Sequence, residues 1–183
     1  MKVFFLYDED EPDRRAAGSA LAAWAEKKGH ELESACASGP MLKPCLGCFG
    51  CWLKTPGRCV IPGDRGAALA EAFVRPDLVV LGGATPYGCF ALPIKAAIER
   101  SLPIQLPFFW RFRGQVHHVP RYERLPRIVS AGFGEASEAE DAIHLELVRA
   151  MCDCRAVPRQ KRSFRFRGDG EALASWLEEA AAS

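Results

Sequence analysis

Four cysteines lie within fifteen residues in the first third of the chain, and their spacing is the strongest chemical signal in the sequence. They follow the pattern C-x2-C-x2-C-x7-C and are Cys45, Cys48, Cys51 and Cys59. Two thiols three residues apart can both reach one metal ion, and thiolate sulfur is a soft ligand. The spacing therefore allows an iron–sulfur cluster or a structural zinc ion. It equally allows metal-free thiols that pack a loop or exchange disulfides.

A second group of candidate residues follows the clearest predicted strand. Residues 77–83 contain a continuous apolar run, which is typical of a buried parallel strand. The short loop that follows could contact a flat ring through backbone N–H groups and an aromatic face. The predicted ligand residues in this loop are Thr85, Pro86, Tyr87, Gly88, Cys89 and Phe90.

The elements that must position these residues alternate between strands and helices. Strands are predicted at 3–7, 31–35, 77–83, 127–131 and 163–166, with amphipathic helices between them and after the last. Such alternation predicts one α/β domain over residues 1–183, with helices on both faces of a parallel sheet. The spacing suits a flavodoxin-like three-layer sandwich with five parallel strands in the order 2-1-3-4-5. Residues 103–126 lack periodicity and are predicted to form a long functional or interface loop.

In such a sheet, ligands bind beyond the carboxyl ends of the strands, at the switch point between strands 1 and 3. Three loops lie there in the prediction, at residues 8–15, 84–90 and 131–135. Two arginines near the start of the first helix could neutralise an anionic ligand. The predicted ligand residues outside the second loop are Arg14, Arg15, Gly132 and Phe133.

The composition is that of an ordinary globular protein. The 183 residues are 49% hydrophobic and 26% charged, with a formal net charge of +1, so no strong field favours nucleic acid or a membrane surface. No apolar run approaches the roughly 20 residues that a membrane span needs. The N-terminal apolar run is too short for a signal peptide and is followed by acidic residues. We therefore predict a cytoplasmic protein, in which eight cysteines indicate metal or redox thiols rather than disulfides.

The chain resembles the flavodoxin-like superfamily of NAD(P)H-dependent FMN reductases, including its iron–sulfur flavoprotein branch. The matching segments are residues 44–59, residues 85–88 with the following Lys95 and Arg100, and residues 118–122. The resemblance implies a homodimer or homotetramer that binds FMN and takes hydride from NAD(P)H. The electrons would pass to a small molecule, such as a quinone or another flavin, or to a protein. Because the flavin carries the redox chemistry, no catalytic side chain is required.

Three functions remain open at this point. The first is an FMN-dependent NAD(P)H oxidoreductase of the flavin/quinone reductase type. The second is an iron–sulfur flavoprotein that transfers single electrons, with the four cysteines at 45–59 as ligands. The third is a flavodoxin-like binding module without a redox cofactor. It is motivated by residues 8–13, which hold five carboxylates in six positions and would repel a phosphate.

Overall fold

The structure is a computed structural model that describes residues 1–38 and 42–182 of the chain. Its strands are β1 (Lys2–Tyr7), β2 (Glu31–Cys36), β3 (Leu78–Ala84), β4 (Gln105–Phe112), β5 (Gln115–Pro120) and β6 (Arg127–Phe133). Its helices are α1 (Pro12–Lys28), α2 (Gly50–Leu53), α3 (Gly66–Ala72), α4 (Leu92–Arg100), α5 (Glu138–Cys154) and α6 (Gly170–Ala182). Short 3-10 turns cover Pro86–Gly88 and Leu102–Ile104. Among the described residues, no helix is long and apolar enough to cross a lipid bilayer.

The central sheet is parallel and, within the described residues, has four strands in the order β2-β1-β3-β6. The apolar runs of β1 and β3 form its centre, with Val3 opposite Leu78 and Leu6 opposite Leu81. A strand buried on both faces needs apolar side chains in both directions, which explains why these runs do not alternate. The predicted α/β class and the order of the first four strands are thus confirmed.

Helices cover both faces of this sheet and make two separate cores. Side chains that alternate along β1 point to opposite faces, so Phe5 packs with α1 and α6, while Phe4 packs with α4 and α5. Trp176 of α6 and Ile94 of α4 are buried at the two faces. This arrangement is the predicted three-layer sandwich.

The predicted fifth strand is wrong in its extent. Residues 163–166 join the described sheet through one isolated parallel bridge, between Gly132 and Arg165. The side-chain amide of Gln160 bonds both the N–H and the C=O of Ser130, at 2.7 and 3.2 Å. Those backbone groups on β6 are the ones that a longer fifth strand would pair. A side chain therefore replaces part of the ladder, and the described sheet has four full strands instead of five.

The predicted long loop at 103–126 is also wrong, because the segment forms an antiparallel hairpin of β4 and β5. Its turn is Arg113-Gly114, and both residues have positive φ angles of 49° and 80°. Such a turn matches the twist of the two strands. Large side chains are exposed along the hairpin, so the segment lacks the alternation of apolar and polar residues that identifies a half-buried strand.

Candidate functional site

Three loops meet at the carboxyl ends of β1, β3 and β6: the first loop (residues 8–13), the second loop (residues 84–90) and the third loop (residues 131–135). The first and second loops are joined because the Asp8 carboxylate accepts a hydrogen bond of 2.8 Å from the Ala84 N–H. The second and third loops are joined by Arg165, which donates to Thr85 Oγ1 at 2.7 Å and to the Phe133 carbonyl at 2.8 Å. The predicted loops therefore lie together at the expected edge of the sheet.

The first loop is closed by a buried ion pair. Asp8 is 1% exposed, and its carboxylate accepts hydrogen bonds from Arg14 Nε and Nη2 at 2.9 and 3.1 Å. It also accepts from the N–H groups of Ala84 and Glu9. Arg14 Nη1 donates to the Asp13 carboxylate at 2.7 and 2.8 Å. Both predicted anion-binding charges are engaged, because Arg15 bonds the carbonyl and the carboxylate of Asp10.

The electrostatics of Arg14 follow from these contacts. Burial acts to lower the pKa of Arg14, but its hydrogen bonds to Asp8 and Asp13 outweigh burial and raise the pKa. The guanidinium also lies over the Phe133 ring, with 4.9 Å between its central carbon and the ring centroid. Arg14 is thus a permanent cation that the chain itself neutralises. Phe133, predicted to contact a ligand, is 1% exposed and belongs to the core.

The second loop presents one aromatic ring to solvent. Tyr87 is 88% exposed and adopts a left-handed backbone conformation, with φ 53° and ψ 27°. This conformation is uncommon for a residue other than glycine, and such backbone outliers concentrate at functional sites. The exposed predicted residues of this loop are Pro86, Tyr87 and Cys89, whereas Thr85, Gly88 and Phe90 are buried.

Contacts from α5 hold the second loop in place. The Tyr87 N–H donates to Glu140 Oε1 at 3.1 Å, and the Gly88 carbonyl lies 3.2 Å from His144 Nδ1. A Cβ atom at Gly88 would lie 2.6 Å from Ile143, so only glycine allows this close approach to the helix. The N–H groups of Gly88 and Cys89 bond inside the 3-10 turn, to Thr85 and Pro86. The Gly88 N–H, one of the backbone donors that were predicted to contact a ring, is therefore used within the protein.

His144 links the second loop to β6 from inside the protein. Its Nε2 lies 2.8 Å from Ser130 Oγ, and its ring contacts Phe90 edge-on. Burial lowers the pKa of His144, and the charge of Arg165 lowers it further, against the opposing hydrogen bond to Gly88. The His144 imidazole is therefore uncharged at neutral pH, and it connects the second loop to β6.

Sequence reasoning missed Asp8 as a buried residue, and also Glu140, His144 and Arg165. One of them carried a readable signal, because Ser137-x-x-Glu140 is a capping box that begins α5. Arg165 gave no local signal. Its guanidinium reaches Thr85, Asp141 and the third loop across long stretches of chain, and a Cβ on Gly132 would lie 3.0 Å from it. Because the predicted residue Gly132 has no side chain, it leaves the space that the Arg165 guanidinium occupies.

The four cysteines at 45–59 lie around one small cavity of about 10 Å³. Burial raises the pKa of the Cys51 thiol, and the nearby thiols of Cys59, Cys45 and Cys48 raise it further. Among the described residues, no group of three or more His, Cys, Asp or Glu side chains is placed to hold a metal ion. The predicted assignment of these cysteines as metal ligands, for an iron–sulfur cluster or for zinc, is therefore not supported. All eight cysteines lie in the described ranges, and none forms a disulfide there.

The cysteine segment (residues 42–64) is held in place by a second buried ion pair. Arg100 and Asp64 bond through two contacts of 2.7 and 2.8 Å, and both side chains are 0% exposed. Arg100 also donates to the carbonyl of Lys43. Burial acts to raise the pKa of Asp64, but the hydrogen bonds from Arg100 and from the Gly66 and Lys43 N–H groups outweigh it and lower the pKa.

Comparison with solved structures defines the fold class. The chain superposes on an azoreductase from Bacillus anthracis str. Sterne with a TM-score of 0.64 and 14% identity, covering 100% of this chain and 97% of that one. It superposes on NAD(P)H:quinone oxidoreductase from Methanothermobacter marburgensis with a TM-score of 0.60 and 13% identity, covering 100% and 94%. An apo NADH:FMN oxidoreductase (EMOB) gives a TM-score of 0.61 at 10% identity, covering 99% and 88%.

These likenesses, together with the strand order, show that the chain has the flavodoxin-like fold. No protein-family model matches the sequence, and no curated protein matches it. The three solved structures bear names of oxidoreductases. What those names say of cofactors and substrates belongs to those proteins.

Proposed function

We propose that the protein is a flavin-dependent NAD(P)H oxidoreductase of the flavin/quinone reductase type. The observation that carries this proposal is Tyr87, whose aromatic ring is 88% exposed on a left-handed backbone in the loop after β3, at the switch point between β1 and β3. Ligands of this fold bind at that point. The names of the three similar structures, an azoreductase, a quinone oxidoreductase and an FMN oxidoreductase, support the same chemistry.

A bound flavin would supply the redox chemistry by accepting hydride from NAD(P)H and passing the electrons on. The chain's own part is to orient the ring. Tyr87 offers a face for stacking, and Pro86 and Cys89 flank it in the exposed part of the second loop. Glu140 and His144 fix the backbone of this loop, so the stacking face is positioned before any ligand arrives.

The fit to FMN differs between its two ends. The exposed second loop fits the flat ring. The first loop does not fit the phosphate, because its two arginines are already paired and its acidic groups would repel a dianion. We therefore propose a flavin as the ligand and place its ring, but not a phosphate, on named residues.

The remaining features of the proposal follow from the resemblance. We propose a homodimer or homotetramer, a small-molecule or protein electron acceptor, and a reducing, cytoplasmic setting in which the thiols stay free.

We do not propose the iron–sulfur carrier, since the described residues do not support its metal site. One other function has an observation in its favour. The closed first loop favours a flavodoxin-like binding module without a redox cofactor.

The test is a flavin titration of the purified protein, followed by fluorescence quenching and by a visible spectrum. We expect saturable flavin binding, and NAD(P)H should bleach the bound flavin. Tyr87→Asp should weaken binding by about 5-fold to 150-fold, since stacking on one aromatic face is worth about 1–3 kcal/mol. The matched control is Phe108→Asp, which places the same charge on another exposed aromatic position, in the β4–β5 hairpin.

Equal loss of binding in both variants would remove Tyr87 from the site. If the unmodified protein bound no flavin at all, the oxidoreductase would be excluded and the binding module would remain.

A further inference from the structure

The first loop contains an anion of its own at the place where this fold binds a ligand's phosphate. Phosphates in α/β proteins bind at helix N-termini after a strand, through backbone N–H groups and nearby cations. Here the Asp8 carboxylate accepts hydrogen bonds from groups that could otherwise bind a phosphate. They are the N–H groups of Glu9 and Ala84 and the guanidinium of Arg14.

The start of α1 offers a phosphate few other donors. Pro12 occupies the first helical position and has no N–H. The Arg14 N–H donates to its neighbour Asp13, at 2.9 Å, and the Glu11 N–H donates to the Glu9 carbonyl at 3.0 Å. These two N–H groups at the start of α1 are therefore already bonded to oxygens of the first loop.

Asp8 cannot leave this position at small cost. It is 1% exposed, and the Cα of Gly83 lies so close that a Cβ there would meet the carboxyl carbon at 2.9 Å. Moving it away would separate a buried ion pair and leave Arg14 with Asp13 alone, and breaking such pairs is strongly unfavourable. The loop around it holds five carboxylates against two arginines in residues 8–15, so an arriving phosphate would also meet net negative charge.

We propose that Asp8 is a specificity-determining residue that replaces the phosphate of the ligand, so that the protein binds flavins that lack a phosphate, with riboflavin bound at least as tightly as FMN. This inference rests on the proposed function, because it assumes that the ring of a flavin lies on the second loop. It reverses the order of affinities expected of a protein whose first loop binds the phosphate of FMN.

The experiment compares riboflavin and FMN by fluorescence quenching, at low and at high salt, with the unmodified full-length protein. We expect an FMN-to-riboflavin affinity ratio of one or less. The affinity for FMN should rise with salt, because added ions screen the repulsion between its phosphate and the first loop, while the affinity for riboflavin stays constant.

Two variants then assign the effect to Asp8. Asp8→Asn keeps the size of the side chain and removes its charge, which leaves Arg14 paired with Asp13 alone and makes the first loop less negative by one charge. We expect it to raise the affinity ratio in favour of FMN by roughly tenfold or more, since a negative charge a few ångströms from a phosphate repels it strongly near a protein surface. The matched control is Glu9→Gln, which removes one exposed carboxylate next to Asp8 and should change the ratio less than about threefold.

The outcomes separate this inference from the proposed function. FMN binding at least tenfold more tightly than riboflavin to the unmodified protein would overturn the role of Asp8 and leave the oxidoreductase proposal standing. Equal effects of Asp8→Asn and Glu9→Gln would also overturn it. Absence of binding for both flavins would overturn both proposals. Because the first comparison needs no variant, the inference stays testable even if Asp8→Asn does not fold.

Discussion

The protein contains two buried ion pairs that look alike and differ in what surrounds them. Asp64–Arg100 is 0% exposed on both side chains and ties the cysteine segment to α4, with further hydrogen bonds from Arg100 to the Lys43 carbonyl and from the N–H groups of Lys43 and Gly66 to Asp64. Asp8–Arg14 has side chains that are 2% and 10% exposed, and it opens onto solvent through the half-exposed Asp13. The first pair joins parts of the scaffold. The Asp8–Arg14 pair lies at the edge of the sheet formed by the carboxyl ends of the strands, where its charge faces the proposed ligand.

Burial alone therefore does not distinguish an ion pair that stabilises the scaffold from one that controls binding. The position of the pair relative to the carboxyl ends of the strands makes this distinction. The pair at the ligand edge takes backbone donors that could otherwise bind a ligand, whereas the pair behind the cysteine segment takes the N–H groups of Lys43 and Gly66, away from that edge.

Removing the scaffold pair should have the largest effect on stability. Arg100→Met leaves the Asp64 carboxylate buried without its cation, and we expect the free energy of unfolding to fall by about 3–5 kcal/mol. Urea denaturation measures this loss. The control is Arg124→Met, which removes the exposed partner of Asp77 and should lower the same free energy by less than about 1 kcal/mol. Similar losses in the two variants would show that Arg100–Asp64 does not hold the scaffold together.

A methyl group at Gly88 should disturb the second loop without touching either ion pair. Gly88→Ala places a Cβ 2.6 Å from Ile143 and 2.9 Å from the Glu140 carbonyl, at a φ of 77°. Overpacking of this kind costs about 1–3 kcal/mol, and we expect flavin binding to weaken with it. The matched control is Gly114→Ala, which has a φ of 80° in the hairpin turn.

The control isolates the steric contact from the backbone strain. Within the described residues, no atom other than chain neighbours lies within 4 Å of a Cβ placed at Gly114. Its substitution should therefore cost only the strain of a left-handed alanine, about 1–2 kcal/mol, and leave flavin binding unchanged. Thermal unfolding measures the first quantity and flavin titration measures the second. Weakened flavin binding in the Gly114 variant alone would contradict the assignment of the site.

Acidification should loosen the second loop before it affects the scaffold pair. The folded-state pKa of His144 lies below its unfolded value, so the unfolded chain takes up a proton first as the pH falls. The stability that neutral His144 contributes is therefore complete above about pH 6.5 and is lost below it, by about 1.4 kcal/mol for each unit of lowered pKa. In contrast, the contribution of Asp64 is lost only below about pH 4, because its pKa is lowered from the usual value of a carboxyl group.

Unfolding curves between pH 8 and pH 3.5 measure both effects. We expect His144→Gln to remove the part of the pH dependence that lies near pH 6.5, and His30→Gln, at a histidine on the opposite end of the sheet, to leave it in place. If the free energy of unfolding of His144→Gln depended on pH in the same way as that of the unmodified protein, protonation of His144 would not be coupled to folding.

The sequence predicted those parts of the molecule that follow from local patterns. Apolar runs at β1 and β3 identify buried parallel strands, and the alternation of strands and helices predicts the order of the first four strands. Gly29 ends α1 in a left-handed conformation, which is typical of a glycine that directly follows a helix. The three loops of the site follow from the same topology, because the carboxyl ends of parallel strands share one edge of the sheet.

The tertiary structure determines which side chains of those loops are already engaged in ion pairs and hydrogen bonds. Arg14 reads as a free cation in sequence, yet Asp8 and Asp13 neutralise it once β1 and α1 are packed. Gln160 replaces part of a strand ladder by bonding Ser130 across thirty positions, which no local pattern indicates. Spacing gathered the four cysteines around one cavity but did not give them the geometry of a metal site. Local sequence fixes hydrophobic periodicity, whereas the pairing of charges and amides depends on which distant residues the fold brings within hydrogen-bonding distance.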